Sequence, residues 1–504
     1  MASPRTNNRP GDLAILLALA LARLLLHVAL NGRYGFHRDE LAVLDDARNL
    51  AWGYVAYPPL TPALGRLELL LFGTSLGGFR FFAALAQCAA MVLAGLIARE
   101  LGGRRSAQLI AALAVAATPF SLLTASEFMY TAFDHLWWVL LAWMVLRLVN
   151  RNDPRWWLGI GLVIGLGMMT RYTMLFCVAG LVVGVLATPL RRQLASPWPW
   201  LGAGLSLLVF LPNGLWQFDH GFLALDFLQS IHARDVAIGR TDGFLLQQLY
   251  ASTGPFLLPL WLGGLGWLVF AKDAARYRLL AWWYAVPLLL FWLAKGRSYY
   301  LAPAYPMLLA AGAVACERWL ATVRPRAATW LRAAIATGLA CAFVIGVAVA
   351  LPWAPVNSTG WRISRAAHDN FAEQVGWPEY VTQVADVYQS LPPAERAQTG
   401  IYANNYGEAG AIDLYGPRHG LPRAISPVNS FWFRGYGARP PTTVIVLGDD
   451  AHGMSDTPAD CALATRFRNP QHVENEETSH PDIYICRDLR VPWSKLWPAR
   501  PSFG

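Results

Sequence analysis

The residues best suited to chemistry form a short charged cluster, His37-Arg38-Asp39-Glu40, which follows the first apolar run of the chain. A carboxylate at the end of a membrane-spanning run lies beside protein that excludes water. There it can act as a general base or bind a metal ion. A solvated acidic loop is the alternative, and the local sequence leaves both interpretations open.

A second acidic residue, Asp134, stands beside His135 at the start of a later apolar run, after Glu127. A carboxylate that enters hydrocarbon is costly, so we expect it to face the interior of a helix bundle and a partner. The alternative is a helix cap, because an aspartate at a helix start satisfies free N–H groups and the positive end of the helix dipole.

Three basic residues, Arg171, Lys295 and Arg297, lie in connections that we place outside the membrane. They are exceptions to the usual excess of basic residues on the cytoplasmic side. An anionic headgroup would explain them, since arginine offers a two-pronged donor to phosphate and lysine a point charge. Ordinary phospholipid contact is the alternative for any one of them. Their convergence on one side favours a specific phosphate site.

An aromatic stretch from Trp52 to Leu60 contains Tyr54, Tyr57 and paired prolines, and Arg66 and Arg80 follow it. This composition suits a segment that lies along the membrane interface instead of crossing it. A plain interfacial belt remains the alternative. A later set of acidic and histidine residues is too irregularly spaced to indicate a metal site, and we predict that it is solvated: Asp219, His220, Asp226, His232, Asp235 and Asp242.

The composition indicates the kind of protein that must position these residues. The chain has 504 residues, of which 55% are hydrophobic and 14% charged, and its mean hydropathy is +0.34. Soluble domains carry about 25% charged residues, so a soluble enzyme is disfavoured, and a disordered chain is excluded. The net charge of +9 comes from short basic clusters between apolar runs. This pattern indicates membrane topology and argues against nucleic-acid binding.

The apolar runs predict about eleven membrane spans. The first, Leu13 to Leu30, has no cleavage site behind it and is predicted to be an uncleaved span. The basic clusters of the even-numbered connections place the N-terminus inside and everything after Leu351 outside. The remaining runs are Phe79–Ile97, Ala107–Leu123, Phe133–Leu148, Trp156–Met169, Met174–Ala187, Trp200–Leu215, Phe256–Phe270, Leu279–Leu293, Tyr300–Val314 and Ala333–Leu351.

The predicted organisation is a membrane domain, 1–354, with a long outer loop at 31–78, and a small outer α/β domain, 355–504. In the tail, β-rich stretches are predicted at Thr399–Ala403, Thr442–Leu447 and Asp482–Cys486, and a helix at Gly407–Tyr415. Cys461 and Cys486 could form a disulfide if the tail faces an oxidising compartment.

Several motifs together resemble one family of membrane enzymes. The chain is similar to bacterial members of glycosyltransferase family 39, the protein O-mannosyltransferase type with the type-C membrane fold, and more distantly to lipid A aminoarabinose transferases. The motifs are Arg38-Asp39-Glu40-Leu41, Gly53-Tyr54-Val55 with Pro58-Pro59-Leu60, Leu71-Phe72-Gly73 before Arg80, Leu215-Trp216-Gln217 with His220-Gly221-Phe222, Tyr299-Tyr300-Leu301-Ala302-Pro303 with Tyr305-Pro306, and Tyr406-Gly407-Glu408-Ala409-Gly410-Ala411. The last is typical only of a bacterial subgroup.

The resemblance implies transfer of a sugar from a polyprenyl-phosphate carrier to an acceptor at the outer face of a bacterial inner membrane. It implies a catalytic base at Asp39, with Glu40 beside it, and a second acidic residue at Asp134. Where some relatives present a basic residue or histidine before the paired prolines, this chain has Tyr57. The acceptor, whether glycan, lipid or protein, does not follow from the resemblance.

The predicted site combines these residues in three roles. The catalytic set is Asp39, Glu40 and Asp134; the donor-phosphate set is Lys295, Arg297, Arg171 and Arg80; and the substrate-lining set is Tyr54, Tyr57, Tyr299 and Tyr300. The sequence establishes no cofactor and leaves metal dependence open, since Asp39 and Asp134 could hold a divalent cation, Mg²⁺ or Mn²⁺. A transporter or flippase of lipid-linked sugars and a non-catalytic membrane subunit are the alternatives. We find no matching pair of broken, inverted repeats of the kind that many transporters contain.

Overall fold

The structure, a computed structural model, describes residues 11–448, 460–499 and 501–504. Up to residue 350 it is helical. The helices of this part are α1 (Gly11–Leu30), α2 (Arg38–Arg48), α3 (Leu60–Phe72), α4 (Leu76–Phe79), α5 (Phe81–Glu100), α6 (Arg105–Ala117), α7 (Pro119–Thr124), α8 (Tyr130–Arg151), α9 (Trp156–Met168), α10 (Met174–Leu186), α11 (Trp198–Asp219), α12 (Leu223–Ala237), α13 (Phe244–Gln247), α14 (Leu258–Phe270), α15 (Leu279–Leu293), α16 (Tyr305–Leu320) and α17 (Pro325–Ala350).

The chain is a multi-pass membrane protein. Among the described residues, six helices are long and apolar enough to cross a bilayer: α1, α5, α8, α11, α17 and the continuous segment Ser298–Leu320 that contains α16. A seventh crossing results if α10 and the bent turn Pro189–Ala195 count as one span. The other apolar runs fall on the shorter helices α6, α9, α14 and α15. Each predicted run therefore coincides with an apolar helix, and the number of eleven crossings stays a prediction.

Close helix pairs in the bundle meet at glycines. A side chain at Gly161 of α9 would contact the carbonyl oxygen of Gly202 in α11 at 2.0 Å. In the same way, Gly312 of α16 lies against the backbone of Leu260 in α14. Small residues let membrane helices approach closely, and packing replaces the hydrophobic effect that lipid removes.

The predicted run 107–123 is divided into two helices. Helix α6 ends at Ala117, and Pro119 begins α7, where the Thr118 hydroxyl accepts a hydrogen bond from the Ser121 N–H at 3.3 Å. A proline at the first helical position needs no backbone N–H partner, so it starts a new helix at low cost.

After α17 the chain forms an α/β unit. Its elements are the helices α18 (Thr359–Ala367), α19 (Trp377–Ser390), α20 (Pro393–Arg396), α21 (Tyr406–Tyr415), α22 (Glu476–Ser479) and α23 (Trp493–Leu496), and the strands β1 (Thr399–Ala403), β2 (Ala424–Ile425), β3 (Thr443–Leu447), β4 (Asp460–Arg466) and β5 (Asp482–Arg487). The predicted strands correspond to β1, β3 and β5, and the predicted helix to α21. Strands β2 and β4 were not anticipated.

The five strands form one mixed sheet in the order β2-β1-β3-β5-β4. Strands β2, β1 and β3 are parallel, and β5 runs antiparallel to both β3 and β4. A disulfide joins Cys461 to Cys486 across the β4–β5 pair.

The two faces of this sheet pack against different parts of the chain. On one face, Tyr402, Val444 and Val446 contact Trp493 and neighbouring aromatic residues. On the other, the sheet, α19, α21 and the first-loop helix α2 share one hydrophobic core. This core thus joins the loop that follows α1 to the tail, although hundreds of residues separate them.

Ion pairs reinforce that junction. Arg434 of the tail binds Asp45 at 3.0 Å and Asp46 at 2.6 Å, and Arg423 binds Asp45 at 2.9 Å. Both aspartates are buried. Burial raises the pKa of Asp46 to about 7 despite the nearby arginine.

Candidate active site

Asp39 lies in the first turn of α2, whose start is a capping box. The side chain of His37 accepts a hydrogen bond from the Asp39 N–H at 3.2 Å, and Glu40 accepts one from the His37 N–H at 2.8 Å. The Asp39 side chain is 37% exposed. Its Oδ1 accepts a hydrogen bond from the Tyr406 hydroxyl at 2.7 Å. The tail thus contacts the predicted catalytic base directly.

Glu40, the adjacent residue, has entirely different surroundings. It is fully buried with Arg80, whose Nε donates to Oε1 at 2.8 Å and whose Nη2 donates to Oε2 at 2.5 Å. The Phe128 N–H also donates to Oε1, at 2.7 Å. The rest of the Arg80 guanidinium donates to the carbonyl oxygens of Asn31 and Gly35.

These contacts do not fit the predicted roles of a catalytic Glu40 and a phosphate-binding Arg80. Both side chains have no exposed surface, and their polar atoms are occupied by one another and by backbone. A buried ion pair with complete hydrogen bonding holds its surroundings in one geometry, because removing either partner leaves an unpaired charge. We infer a structural role for both residues.

Tyr54 and Tyr57 are likewise buried, in contrast to the predicted substrate-lining role. The Tyr54 hydroxyl donates to the Asp46 carbonyl oxygen at 3.0 Å, and the Tyr57 hydroxyl donates to the Asp46 carboxylate at 2.7 Å. Since both hydroxyls are bonded to α2, these tyrosines hold the loop against that helix.

Arg171, in the turn between α9 and α10, is surrounded by aromatic rings. Its Cζ lies 4.9 Å from the ring centroid of Tyr130, 5.8 Å from that of Tyr299 and 4.6 Å from that of Tyr300. Its closest carboxylate contact is with Asp134, at 3.6 Å, which is longer than an ordinary N–H···O hydrogen bond. Asp134 is buried, and its Oδ1 has no hydrogen-bond partner among the described residues. The structure therefore brings Arg171, Asp134, Tyr299 and Tyr300 together.

The other two predicted phosphate ligands differ from each other. Lys295 is exposed at the end of α15 and has no ion-pair partner within the described part of the chain. Arg297 is bound through Nε to Asp235 at 2.5 Å and through Nη2 at 2.8 Å. Asp235 of α12 was predicted to be solvated, and this is wrong: it is only 3% exposed because it pairs with Arg297. The positive charge of Arg297 is thus already neutralised.

Tyr130 connects the Asp39 region to the Arg171 region. Its ring packs 5.8 Å from that of Tyr57 and lies 4.9 Å from the guanidinium of Arg171, and its hydroxyl is near enough to Asp39 to be affected by the charge of that carboxylate. A partly exposed carboxylate and a cationic group therefore both lie near one phenol. The carboxylate can accept a proton, and the cationic group can stabilise a phosphate leaving group.

A metal-binding arrangement is not found among the described residues. No group of three histidine, cysteine, aspartate or glutamate side chains in those ranges is placed to hold an ion.

Sequence reasoning missed Tyr130, Tyr406 and Asp235. Tyr130 precedes Asp134 by four residues and so shares its helix face, a signal that the sequence did contain. Tyr406 begins the tail motif, but its contact spans 367 residues. Asp235 had no sequence signal that distinguished it from other acidic loop residues.

Known proteins with similar sequences include one family and one curated relative. Residues 56–216 match the family described as dolichyl-phosphate-mannose-protein mannosyltransferase. The chain is 30% identical over 221 residues to undecaprenyl phosphate-alpha-4-amino-4-deoxy-L-arabinose arabinosyl transferase 1 of Sodalis glossinidius (strain morsitans). That match covers 40% of this chain and 38% of the relative.

The fold is similar to that of ArnT from Cupriavidus metallidurans over nearly the whole chain. Against ArnT bound to undecaprenyl phosphate, the TM-score is 0.60 with 15% identity, covering 95% of this chain and 98% of the other. Against apo ArnT, the TM-score is 0.54 with 16% identity and the same coverage. The resemblance inferred from the sequence motifs is therefore confirmed: residues 56–216 match this mannosyltransferase family in sequence, and the chain has the fold of ArnT.

Proposed function

We propose that this protein transfers a sugar from a polyprenyl-phosphate-linked donor to an acceptor hydroxyl at the outer face of a bacterial inner membrane. The observation that carries the proposal is the partly exposed Asp39 carboxylate near Tyr130, whose ring packs against the guanidinium of Arg171. The Sodalis relative is named for an undecaprenyl phosphate sugar donor, and the similar ArnT structure contains undecaprenyl phosphate. Both support a polyprenyl phosphate as the carrier.

Asp39 is the general base of the proposed reaction. As the acceptor oxygen forms its bond to the anomeric carbon, the bond from that carbon to the donor phosphate breaks, and the hydroxyl proton passes to Asp39. A single displacement of this kind inverts the anomeric centre. A positioned base contributes about 10²–10⁴-fold to such a step.

Arg171 is the principal phosphate ligand, and Lys295 assists it. The leaving group is a lipid phosphate whose negative charge increases as the bond breaks, so a fixed cation stabilises the transition state more than the ground state. Among the described residues, the ion-pair contact that Arg171 must give up to a phosphate is the long one to Asp134. Arg297 contributes less, since Asp235 already accepts from the Nε and Nη2 edge of its guanidinium.

Asp134 is a positioning residue in this scheme. It lies one helical turn after Tyr130, accepts a hydrogen bond from the Thr173 hydroxyl at 3.4 Å and faces Arg171. Its charge therefore holds the guanidinium between the three tyrosine rings until a phosphate arrives.

The decisive experiment is Asp39→Asn in the full-length, detergent-purified enzyme, with transfer from a polyprenyl-phosphate sugar measured by mass spectrometry of the acceptor fraction. The amide has nearly the same shape and can still accept from Tyr406, so we expect normal folding and a loss of at least about 10²-fold in transfer. Asp242→Asn, in an exposed outer turn, is the matched control. An Asp39→Asn enzyme with full activity would refute the proposed mechanism.

A further inference from the structure

The tail motif 406–411 supplies no reacting group, yet the side chain of its first residue contacts the catalytic base. We propose that Tyr406 is a positioning residue: the C-terminal α/β unit completes the active site by holding Asp39 in its reactive orientation. The inference rests on the proposed function of Asp39 and extends it to a part of the chain that lies beyond the matched family segment, residues 56–216.

The contact itself is specific. The Tyr406 hydroxyl donates to Oδ1 of Asp39 at 2.7 Å, and the guanidinium of Arg38 lies over the Tyr406 ring, 4.7 Å from its centroid. Burial and the adjacent Asp39 raise the pKa of Tyr406 well above its usual range. The phenol therefore remains protonated and acts only as a donor to the carboxylate.

The tail motif places this hydroxyl by close backbone packing. Added side chains would collide with α2: one at Gly410 would approach Leu41 Cβ at 2.7 Å and its backbone at 2.9 Å, and one at Gly407 would approach Arg38 Cβ at 3.0 Å. Glycine at both positions lets α21 lie directly on α2. This explains why small residues follow Tyr406 in the motif.

A capping box holds the start of α21 at the same point. Asn405 accepts a hydrogen bond from the Glu408 N–H at 2.8 Å, and Glu408 accepts from the Asn405 N–H. The buried Glu408 also accepts from the Tyr380 hydroxyl at 2.8 Å. Tyr406, the first residue of the helix, is therefore fixed by bonds between residues on either side of it that do not involve the site.

The geometry assigns different tasks to the two carboxylate oxygens of Asp39. Oδ1 is occupied by Tyr406, whereas Oδ2 lies 3.8 Å from His37 Nδ1. That nitrogen already accepts from the Asp39 N–H, so it has no proton to donate to Oδ2. Oδ2 is left to take the proton of the acceptor. The titratable and charged groups that act on Asp39 or face it are His37, Arg38, Tyr57, Tyr130, Glu373 and Tyr406.

The test is Tyr406→Phe in the full-length enzyme, compared with Tyr388→Phe. The first variant keeps the ring under Arg38 and loses only the hydroxyl, and the second loses a hydroxyl bonded to the Arg396 carbonyl elsewhere in the same unit. A hydrogen bond to a charged group corresponds to a factor of about 10–100 in rate. For Tyr406→Phe we expect kcat to fall by about that factor, with KM for the donor changed less than about twofold.

The pH profile separates positioning from mere stability. Without the phenolic donor the anionic form of the base is less stabilised, so the acidic limb of kcat should move to higher pH in Tyr406→Phe only. In an Asp39→Asn background, Tyr406→Phe should cause no further loss. Gly410→Ala keeps the Tyr406 hydroxyl but crowds α21 against α2. It should therefore also lower the kcat of the folded enzyme.

Each outcome decides the inference. Wild-type kcat in Tyr406→Phe, or a lower yield of folded enzyme with an unchanged pH profile, would overturn it, as would wild-type kcat in Gly410→Ala. Those results would leave Asp39 as the base if Asp39→Asn remains inactive. An active Asp39→Asn enzyme would instead remove the proposed function on which the inference depends.

Discussion

Two arginine–carboxylate pairs lie close to the proposed site and differ in how completely each is hydrogen-bonded. Arg80 and Glu40 are fully buried, joined by two short hydrogen bonds and surrounded by backbone partners. Arg171 and Asp134 are held at 3.6 Å, and the guanidinium contacts tyrosine rings on its other sides. The first pair has no remaining capacity to bind a ligand, whereas the second can exchange a weak contact for a phosphate.

A charge near a membrane surface becomes functional when the fold leaves it incompletely paired. Arginine presents five donors. When they are satisfied within the protein, a substrate phosphate must compete with bonds that are already desolvated and aligned. By this criterion Arg297, which is bound by Asp235, resembles Arg80 more than Arg171.

The largest expected effect concerns the fully buried Arg80–Glu40 pair. Arg80→Leu leaves Glu40 buried without its partner, so we expect a loss of about 3–5 kcal/mol in stability and little folded protein. Monodisperse yield in detergent and Tm measure the effect, and Arg66→Leu, at an exposed arginine of α3, is the control. If Arg80→Leu folds normally and loses only donor binding, the phosphate role predicted from the sequence would be right after all.

Breaking the Arg171–Asp134 pair should affect activity more than stability. Arg171→Leu should lose about 10–100-fold in kcat/KM for the donor, because a charge-assisted contact to phosphate disappears. It should lower Tm less than Arg80→Leu does, since the contact that it removes from the buried Asp134 is long, at 3.6 Å. Arg171→Lys should retain part of the activity, since it keeps the charge and loses the two-pronged geometry. Arg155→Leu, at an exposed arginine before α9, is the control. Equal activity in the leucine and wild-type enzymes would rule out Arg171 as the phosphate ligand.

A smaller effect, a change of stability with pH, is expected at a buried acid that has no hydrogen-bond partner among the described residues. Glu477 is 2% exposed, neither of its oxygens has a hydrogen-bond partner among the described residues, and burial raises its pKa from 4.5 to about 8. Between these pH values the folded protein holds a proton that the unfolded chain has lost. Stability should therefore fall as pH rises, by up to about 1.4 kcal/mol per unit.

Glu477→Gln removes this titration while keeping the side-chain shape. Its Tm should depend less steeply on pH between about 5 and 8 than that of the wild type, and it should exceed the wild-type Tm at pH 8. Thermal unfolding at a series of pH values measures both. Parallel curves for the two proteins would mean that Glu477 is already charged in the folded state.

The fold was largely predictable where one local signal suffices. Apolar runs located the membrane helices because hydrocarbon requires consecutive apolar residues, whatever the helices pack against. The strands β1, β3 and β5 were located because they are short and apolar between turn residues. Strand β4 was missed because it is an exposed edge strand with little apolar patterning.

The candidate site was predicted less completely, as Asp39 and Glu40 illustrate. The two residues are adjacent and chemically similar, yet one is partly exposed and the other sealed. What separates them is the helical rotation of about 100° per residue, which points Asp39 toward Tyr406 and Glu40 toward Arg80. Arg80 is 40 positions from Glu40, and Tyr406 is 367 positions from Asp39, so nothing in the local sequence reveals the difference.

The amino-acid sequence alone is enough to place this chain in a membrane and to locate its apolar helices. It also identifies the few charged residues that depart from the topological pattern. Those properties depend on composition and order along the chain. The tertiary structure decided which of those charges are free, because pairing joins residues far apart: Arg80 to Glu40, Arg297 to Asp235, Tyr406 to Asp39. A charge acts on substrate only where folding has not already satisfied it, and that is a property of contacts, not of residue types.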